Sequence, residues 1–491
     1  MSPSPWQRAR NWTMAYVVRP LGQIGLFTVG SIAVMTIAAF VVAFVLRTPW
    51  HGIALLKPMP GIDLVKQTVV QLPSTIIDGL SIGFVYAMIA LGYTMVYGVL
   101  QFVNFAHSEI FMTGGVAGYV VIVNLYNSQT LASTNPWIFL LLIVLVGPLV
   151  YAAGVLLVKG LAGAPEPGVA RQATSQQNTT GDSQKNAQPA ESRIAPVLLV
   201  SGPRRILIVP LVAATLVVVL LAFANPAANP ILLILFMLLV GMAVAGVLAV
   251  MVERLAYRPL RRAPRLVPLI AAIGVSFFLQ DFVRAIMALT RNEFNFSYPT
   301  DQVPFLAKQF SFSTSLPWPG SDPVNINASI GMNAIIVIIV ALIMLIGLNY
   351  FVTGTRAGKG IRAVSQDQAT ASLMGINVNR MIALTFFIGG GLGGAAGVLF
   401  GMKTGYMTPY IGFFPGLKAF TAAVLGGIGD IQGAMLGGIL LGVLEAFFAG
   451  LLPYFPALGT GYRDILAFGV LILILIFRPA GLLGKSIDEK V

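Results

Sequence analysis

The sequence predicts an all-α fold, a polytopic membrane helix bundle of about 12 transmembrane segments (10–12) with both termini inside. Three observations carry that expectation. Apolar residues make up 57% of the chain and charged residues only 10%, whereas a soluble domain carries roughly 25% charged residues to cover its surface. Apolar runs of about 20 residues, the length that crosses a bilayer, recur along the chain. The basic residues gather in particular loops between those runs, which is how membrane orientation is set.

The elements follow in order. The run 24–46 comes after Arg8, Arg10 and Arg19. It is longer than a signal-peptide core and has no small-x-small cleavage motif, so it reads as a retained first helix. Further spans are expected at 75–100, 105–125, 137–158, 206–223, 230–251, 267–290, 334–352, 381–402, 412–429, 432–452 and 463–477. Some of these are rich in glycine, and 412–429 either crosses or is re-entrant. Arg254, Arg258, Arg261, Arg262 and Arg265 follow the span 230–251, and Arg356, Lys359, Arg362 and Arg380 follow 334–352; both loops are expected inside. The acid-balanced stretch 291–333 is expected outside, where it either docks a partner or caps the bundle. Twelve crossings satisfy all three loops. The loop 47–74, with Arg47, Lys57 and Lys66 against Asp63, dissents. Residues 164–193 are too polar to bury surface that offsets their chain entropy and read as a disordered cytoplasmic linker within about 160–204.

Composition also excludes chemistry. The net charge is +13, but no basic-aromatic face stands outside the apolar segments, so nucleic acid is not an expected partner. The chain has no cysteine, which removes disulfides, thiolate metal sites and cysteine nucleophiles. His51 and His107 are its only histidines, too few for a histidine metal site. No metal or cofactor is expected, and no catalytic set of paired carboxylates or nucleophile and base appears. Gly484-Lys485-Ser486 resembles the end of a phosphate loop, but Pro479 stands where the first glycine belongs. The run Gly389 to Gly394 fits a dinucleotide pattern, yet it lies within an apolar helix with no preceding strand.

The informative residues are therefore small or polar ones inside apolar segments. Gly389, Gly393, Gly397 and Gly401 recur every fourth residue and form a bare ridge for close helix packing. Ala434, Gly438, Gly442 and Ala446 form a second. Lys418 and Glu445 each cost about 2.5–3.5 kcal/mol at mid-helix unless paired or hydrated. Either they pair, or they face a water-filled path. Gln280 and Asp281 pose the same question. Asn104, His107 and Glu109 interrupt apolar sequence at the junction of two spans and read first as a helix-terminating turn. The stretch Gln366 to Gly375 has helix-forming composition ended by glycine, on the side expected to be cytoplasmic.

Several runs together resemble the LivH-type permeases of high-affinity branched-chain amino acid ABC importers. They are Ala90-Leu91-Gly92-Tyr93-Thr94-Met95-Val96-Tyr97-Gly98, Val103-Asn104-Phe105-Ala106-His107, Glu253 through Arg261, Ala272-Ile273-Gly274 with Phe278-Leu279-Gln280, Ala371 through Asn377, Gly416 through Gly429, and Arg478-Pro479-Ala480-Gly481-Leu482-Leu483-Gly484. The resemblance covers about 74–125 and 229–491. It leaves 1–73 as an N-terminal extension with one added helix and 126–228 as an insertion with two spans and the linker. It implies a non-catalytic transport subunit in the bacterial inner membrane, working with two ATPase subunits, a second permease of LivM type and a periplasmic amino-acid-binding protein. By position, the ATPase-docking helix of such permeases falls on Asp367 to Gly375, with Ala371 and Leu373 within it. Family members have glycine after the histidine of the Asn-Phe-Ala-His run, where this chain has Ser108, so a glycine-only backbone angle there would be in doubt. Urea, short amides or other amino acids are alternative substrates on the same architecture. An ion-coupled secondary transporter using Glu445, Asp281 or His107 is the alternative of a different class.

Overall fold

The computed structural model describes residues 63–126 and 230–483, apart from a few positions within the second stretch, and isolated positions between 14 and 37. The expected helix at 24–46 is described only at isolated positions. The expected spans 137–158 and 206–223 and the linker 164–193 lie outside the described residues.

Helix α1 runs Leu64–Leu100. It starts eleven residues before the expected 75, because Asp63 accepts hydrogen bonds from the Val65 and Lys66 amides at 3.0 and 3.3 Å and caps it. Asp63 and Lys66 thus belong to a helix start rather than to a loop. From Gly83 through Val96 every residue is buried, the mark of a helix packed on all sides. Gln101, left-handed at φ 57°, ends α1. A turn leads into α2, His107–Tyr126. Helix α3, Pro230–Val252, continues through a π-turn, Glu253–Tyr257, and α4 spans Leu266–Arg291.

The segment expected outside then departs from an all-α reading. Strand β1, Phe296–Ser297, later pairs with β4, and β2, Gln309–Trp318, pairs antiparallel with β3, Ser321–Gly331. Helix α5, Met332–Gly354, follows. The next stretch, read as one short loop helix, folds as two, α6 over Arg356–Gln366 and α7 over Gln368–Leu373. Helix α8 runs Val378–Thr404, capped by Asn377 and ended by left-handed Gly405. Strand β4 is Tyr406–Met407. Helices α9, Phe413–Gly426, α10, Ile431–Leu451, and α11, Tyr462–Phe477, complete the described chain.

The protein is thus a mostly helical polytopic membrane protein. Six described helices are long and apolar enough to cross a bilayer: Leu64–Leu100, Leu233–Tyr257, Leu266–Leu289, Met332–Gly354, Val378–Thr404 and Ile431–Tyr454. Helix α9 is shorter than its expected 412–429. Its 14 residues extend about 21 Å, against a hydrocarbon thickness of about 30 Å. The tail holds its end: the Leu482 and Leu483 amides donate to the Leu425 and Gly426 carbonyls at 2.7 and 3.1 Å. At the centre, α1 packs along α10 and α8, and α8 packs on α2 and α3.

Candidate functional site

Three polar groupings stand out in this bundle. The first centres on Glu109, in the first turn of α2 and fully buried. Its Oε1 accepts from Gln280 Nε2 at 2.8 Å and Ser276 Oγ at 3.1 Å, and lies 3.3 Å from Ser108 Oγ. Ser276 and Gln280 are four residues apart on α4 and so share one face. Asp281, one residue on, points elsewhere: its side chain is 72% exposed and lies 3.8 Å from Arg284. The structure therefore joins Gln280 to Glu109 and leaves Asp281 outside that cluster. Glu109 Oε2 has no hydrogen-bond partner. It faces Gly412, where an added Cβ would sit 2.7 Å from it.

Ser108 is not among the described non-glycine residues with positive φ, which are Gln101 and Asn292. Its hydroxyl donates to the Phe105 carbonyl at 2.7 Å. Its side chain fills the space left bare by Gly416, so serine fits here without a glycine-only angle. Asn104 accepts from the Tyr257 hydroxyl. His107 packs edge-on against Tyr93 at 4.8 Å, in space that a side chain at Gly92 would need.

The second grouping joins Lys418 of α9 to Glu445 of α10 at 2.8 Å and to Asp464 of α11 at 2.9 Å. The Tyr86 hydroxyl of α1 donates to Glu445 Oε2 at 2.8 Å, and Arg463 Nε lies 3.7 Å from Oε1. Lys418 and Glu445, one of the alternatives open from the sequence, are thus a buried pair within a four-helix network. Tyr86 and Asp464 were missed. Neither interrupts an apolar run conspicuously, since tyrosine is half apolar and Asp464 sits beside a helix end.

The third grouping is the segment 367–375. Asp367 caps α7 through the Ala369 and Thr370 amides, at 2.8 and 3.2 Å, and accepts from the Thr370 hydroxyl. These donors hold its carboxyl below the ordinary range, the hydroxyl contributing most. Gly375, at φ 80°, closes the helix with its amide on the Ser372 carbonyl, and Ile376 reaches Ala371, each at about 3 Å. This cap needs a left-handed residue. Ala371 is buried beneath the helix, while Leu373 and Met374 are 87% and 78% exposed. Met374 was not singled out from the sequence, although adjacent Leu-Met beside a glycine cap is an apolar tip in polar surroundings.

The predicted glycines meet backbone or aromatic rings. Gly397 faces the Phe111 carbonyl and the Gly115 amide, Gly389 faces Gly92, Gly393 the His107 ring, and Gly401 the Tyr298 ring. Gly438 and Gly442 lie against Ala87 and Gly83 of α1.

Comparison with known proteins follows from these features. Residues 75–164 and 208–475 match the family described as branched-chain amino acid transport system / permease component. The high-affinity branched-chain amino acid transport system permease protein BraD of Pseudomonas aeruginosa is 34% identical over 416 residues, 85% of this chain and 97% of that protein. LivH of Escherichia coli K12, a permease protein of the same description, is 32% identical over 84% of this chain and 96% of its own. LivH of Salmonella typhimurium is 31% identical over the same shares. No solved structure matches. The match passes over 165–207, which contains nearly all of the polar linker. The chain belongs to the family of permease components of branched-chain amino acid transport systems.

Proposed function

We propose that this permease carries leucine, isoleucine and valine across the bacterial inner membrane as one of two permease subunits, driven by two separate ATPase subunits and loaded by a periplasmic amino-acid-binding protein. A multi-pass helix bundle goes with this reading, and family membership sets aside the stand-alone ion-coupled alternative. The single observation that carries the division of labour is the tip at 373–374. Two large apolar side chains stand exposed on a short helix fixed at both ends, by Asp367 and by Gly375. An exposed apolar tip beside the basic helix α6 is a surface that partner burial stabilises, and it lies on the face that positive-inside logic puts in the cytoplasm. Asp367, Ala371, Leu373 and Gly375 then have separate duties: cap, anchor, contact and terminator, with Met374 as a second contact. ATP binding would bias the two access states only through contacts that differ between them.

The test is a Leu373→Ser, Met374→Ser double variant in the assembled importer. Both side chains are solvent-facing in this chain, so folding should be preserved. Co-purification of the ATPase subunits and ATP-dependent leucine uptake should fall together. Normal uptake with normal co-purification would remove the docking assignment.

A further inference from the structure

The Glu109 cluster has a feature that packing does not account for. The hydrogen bonds to the carboxyl come from the neutral donors Gln280 and Ser276 and end on Oε1, which also lies 3.3 Å from Ser108 Oγ. Oε2 is buried and bonded to nothing. An acid in such a place lacks a cation, and an unmet charge inside a membrane protein marks a ligand pathway more often than a structural joint.

What Oε2 faces is the start of α9. Gly412 is the N-cap of that helix and offers no side-chain cap. The position of a Cβ on Gly412 is 2.5 Å from the Ser108 carbonyl oxygen and 2.7 Å from Oε2, so the helix start lies directly beside Oε2 and admits no side chain. The Phe413 amide donates to the Tyr410 carbonyl and Pro415 has no N–H, so this uncapped start offers the amides of Gly412 and Phe414 and the positive end of the helix dipole, which favour an anion. A lone carboxylate oxygen and an uncapped helix start thus stand side by side. One favours a cation and the other an anion, as the two ends of one small zwitterion require. Phe413 and Phe414, in the first turn of α9, are exposed in this chain and supply apolar surface beside both.

We propose that Glu109 Oε2 and the N-terminus of α9 form the recognition site for the α-amino acid head group within the bundle. The carboxylate of Glu109 receives the substrate ammonium, and the amides of Gly412 and Phe414 receive the substrate carboxylate, the Phe413 amide being held by the Tyr410 carbonyl. Gln280 and Ser276 are positioning residues, because they fix Oε1 and so aim Oε2. Gly412 is required bare. The inference rests on the amino acid reading of the substrate and adds where, and by which end, it is held.

The experiment uses the purified importer without its binding protein, so that specificity measured is that of the membrane part. Radiolabelled leucine is bound at equilibrium and displaced with leucine, with 4-methylpentanoate, which lacks the ammonium, and with 3-methylbutylamine, which lacks the carboxylate. The wild type should prefer leucine to both analogues. Glu109→Gln should weaken leucine binding roughly tenfold to a hundredfold, the worth of a charge-assisted bond. It should erase the preference over 4-methylpentanoate by the same factor and leave the preference over 3-methylbutylamine intact. Glu109→Asp should recover part of the loss, which a merely structural role would not produce. Glu109→Gln binding like the wild type would show a neutral structural carboxyl and overturn the site. So would a uniform loss of leucine and both analogues. A wild-type importer that bound no leucine without its binding protein, yet took leucine up with it, would also overturn the site; only a complete importer that took up no leucine would overturn the substrate reading on which the site rests.

Discussion

Replacing Lys418 by methionine tests whether the α9–α10–α11 network is structural. Methionine keeps the length and apolar stem and removes the charge. Lys418 Nζ is lost from two acids, Glu445 at 2.8 Å and Asp464 at 2.9 Å. Removing one partner of a buried pair costs about 3–5 kcal/mol, mostly from the charge left behind. Glu445 keeps the Tyr86 hydroxyl at 2.8 Å and a more distant Arg463, and the Asp464 side chain is 30% exposed. The expected loss is therefore at the lower end, about 3 kcal/mol. Glu445→Met alone leaves Lys418 on Asp464 and should cost about 2 kcal/mol by the same reasoning. The double variant removes both charges, so its loss should fall short of the sum by about 1–3 kcal/mol, the range for groups in contact. Unfolding titrated with denaturing detergent in mixed micelles measures each value. A Lys418→Met variant within about 0.5 kcal/mol of wild type, or strict additivity in the double variant, would refute the pairing argument and return Lys418 to the list of path-lining groups.

Two further outcomes follow from geometry. Gly397→Ala places a methyl group 2.7 Å from the Gly115 amide and against the Phe111 carbonyl, so α8 and α2 must separate, at about 1–3 kcal/mol; Gly347→Ala on α5 meets nothing within 4 Å and should be neutral or gain up to about 1 kcal/mol, both read in the same micelle titration. Asp367 gives a pH dependence: because its folded carboxyl lies below the ordinary value, its capping contribution is complete above the ordinary carboxylate pKa of about 3.9 and is lost as pH falls through the lowered value. Amide exchange at 368–374 should accordingly keep its protection from neutral pH down past about pH 4, and Asp367→Asn should abolish the acid-limb change; fraying that sets in near pH 6 would contradict it.

Much of this arrangement was legible in sequence because the relevant physics is local. Apolar length located α5, α8 and α10 to within a few residues, and a four-residue glycine period located the seam of α8. Helix starts were less visible: Asp63 reads as a loop acid until its side chain is seen to cap α1 across Pro73, which suggests a break. The β2–β3 ribbon carried its own signal. Phe310 and Phe312 alternate with serines, and Val324, Ile326, Ala328 and Ile330 alternate with polar residues, around Pro319-Gly320. A period of two was present, but the expectation of helices everywhere hid it. In the candidate site, the residue types were readable and the pairings were not. Nothing in sequence says that Glu109 meets Gln280 rather than Lys418, because both partners lie on distant helices. Register alone separates Gln280 from Asp281: neighbouring helical residues differ by about 100°, enough to send one inward and the other out.

The same geometry suggests a route by which motion at the segment proposed to dock the ATPase subunits would reach Glu109. Gln368, the first residue of α7, donates to the Val99 carbonyl at 2.8 Å, two residues before the left-handed Gln101 that ends α1. Beyond it lies the turn that carries Asn104 and then His107, Ser108 and Glu109. The far side of that turn is held through Tyr257, in the π-turn whose Glu253 binds Arg261, which reaches Asn379 of α8 at 2.7 Å. Between the two holds lies a cavity of about 170 Å³ lined by Gln101, Phe102, Arg261, Ala263 and Gln368, room enough for side chains and water to rearrange. The glycine seam offers no such room: Gly394 and Gly397 already touch the backbones of α3 and α2, and close-packed interiors move as units rather than deform. A push on α7 is therefore expected to be taken up beside that cavity, in the turn at 101–106, and that turn leads within three residues to the carboxyl proposed to hold the substrate.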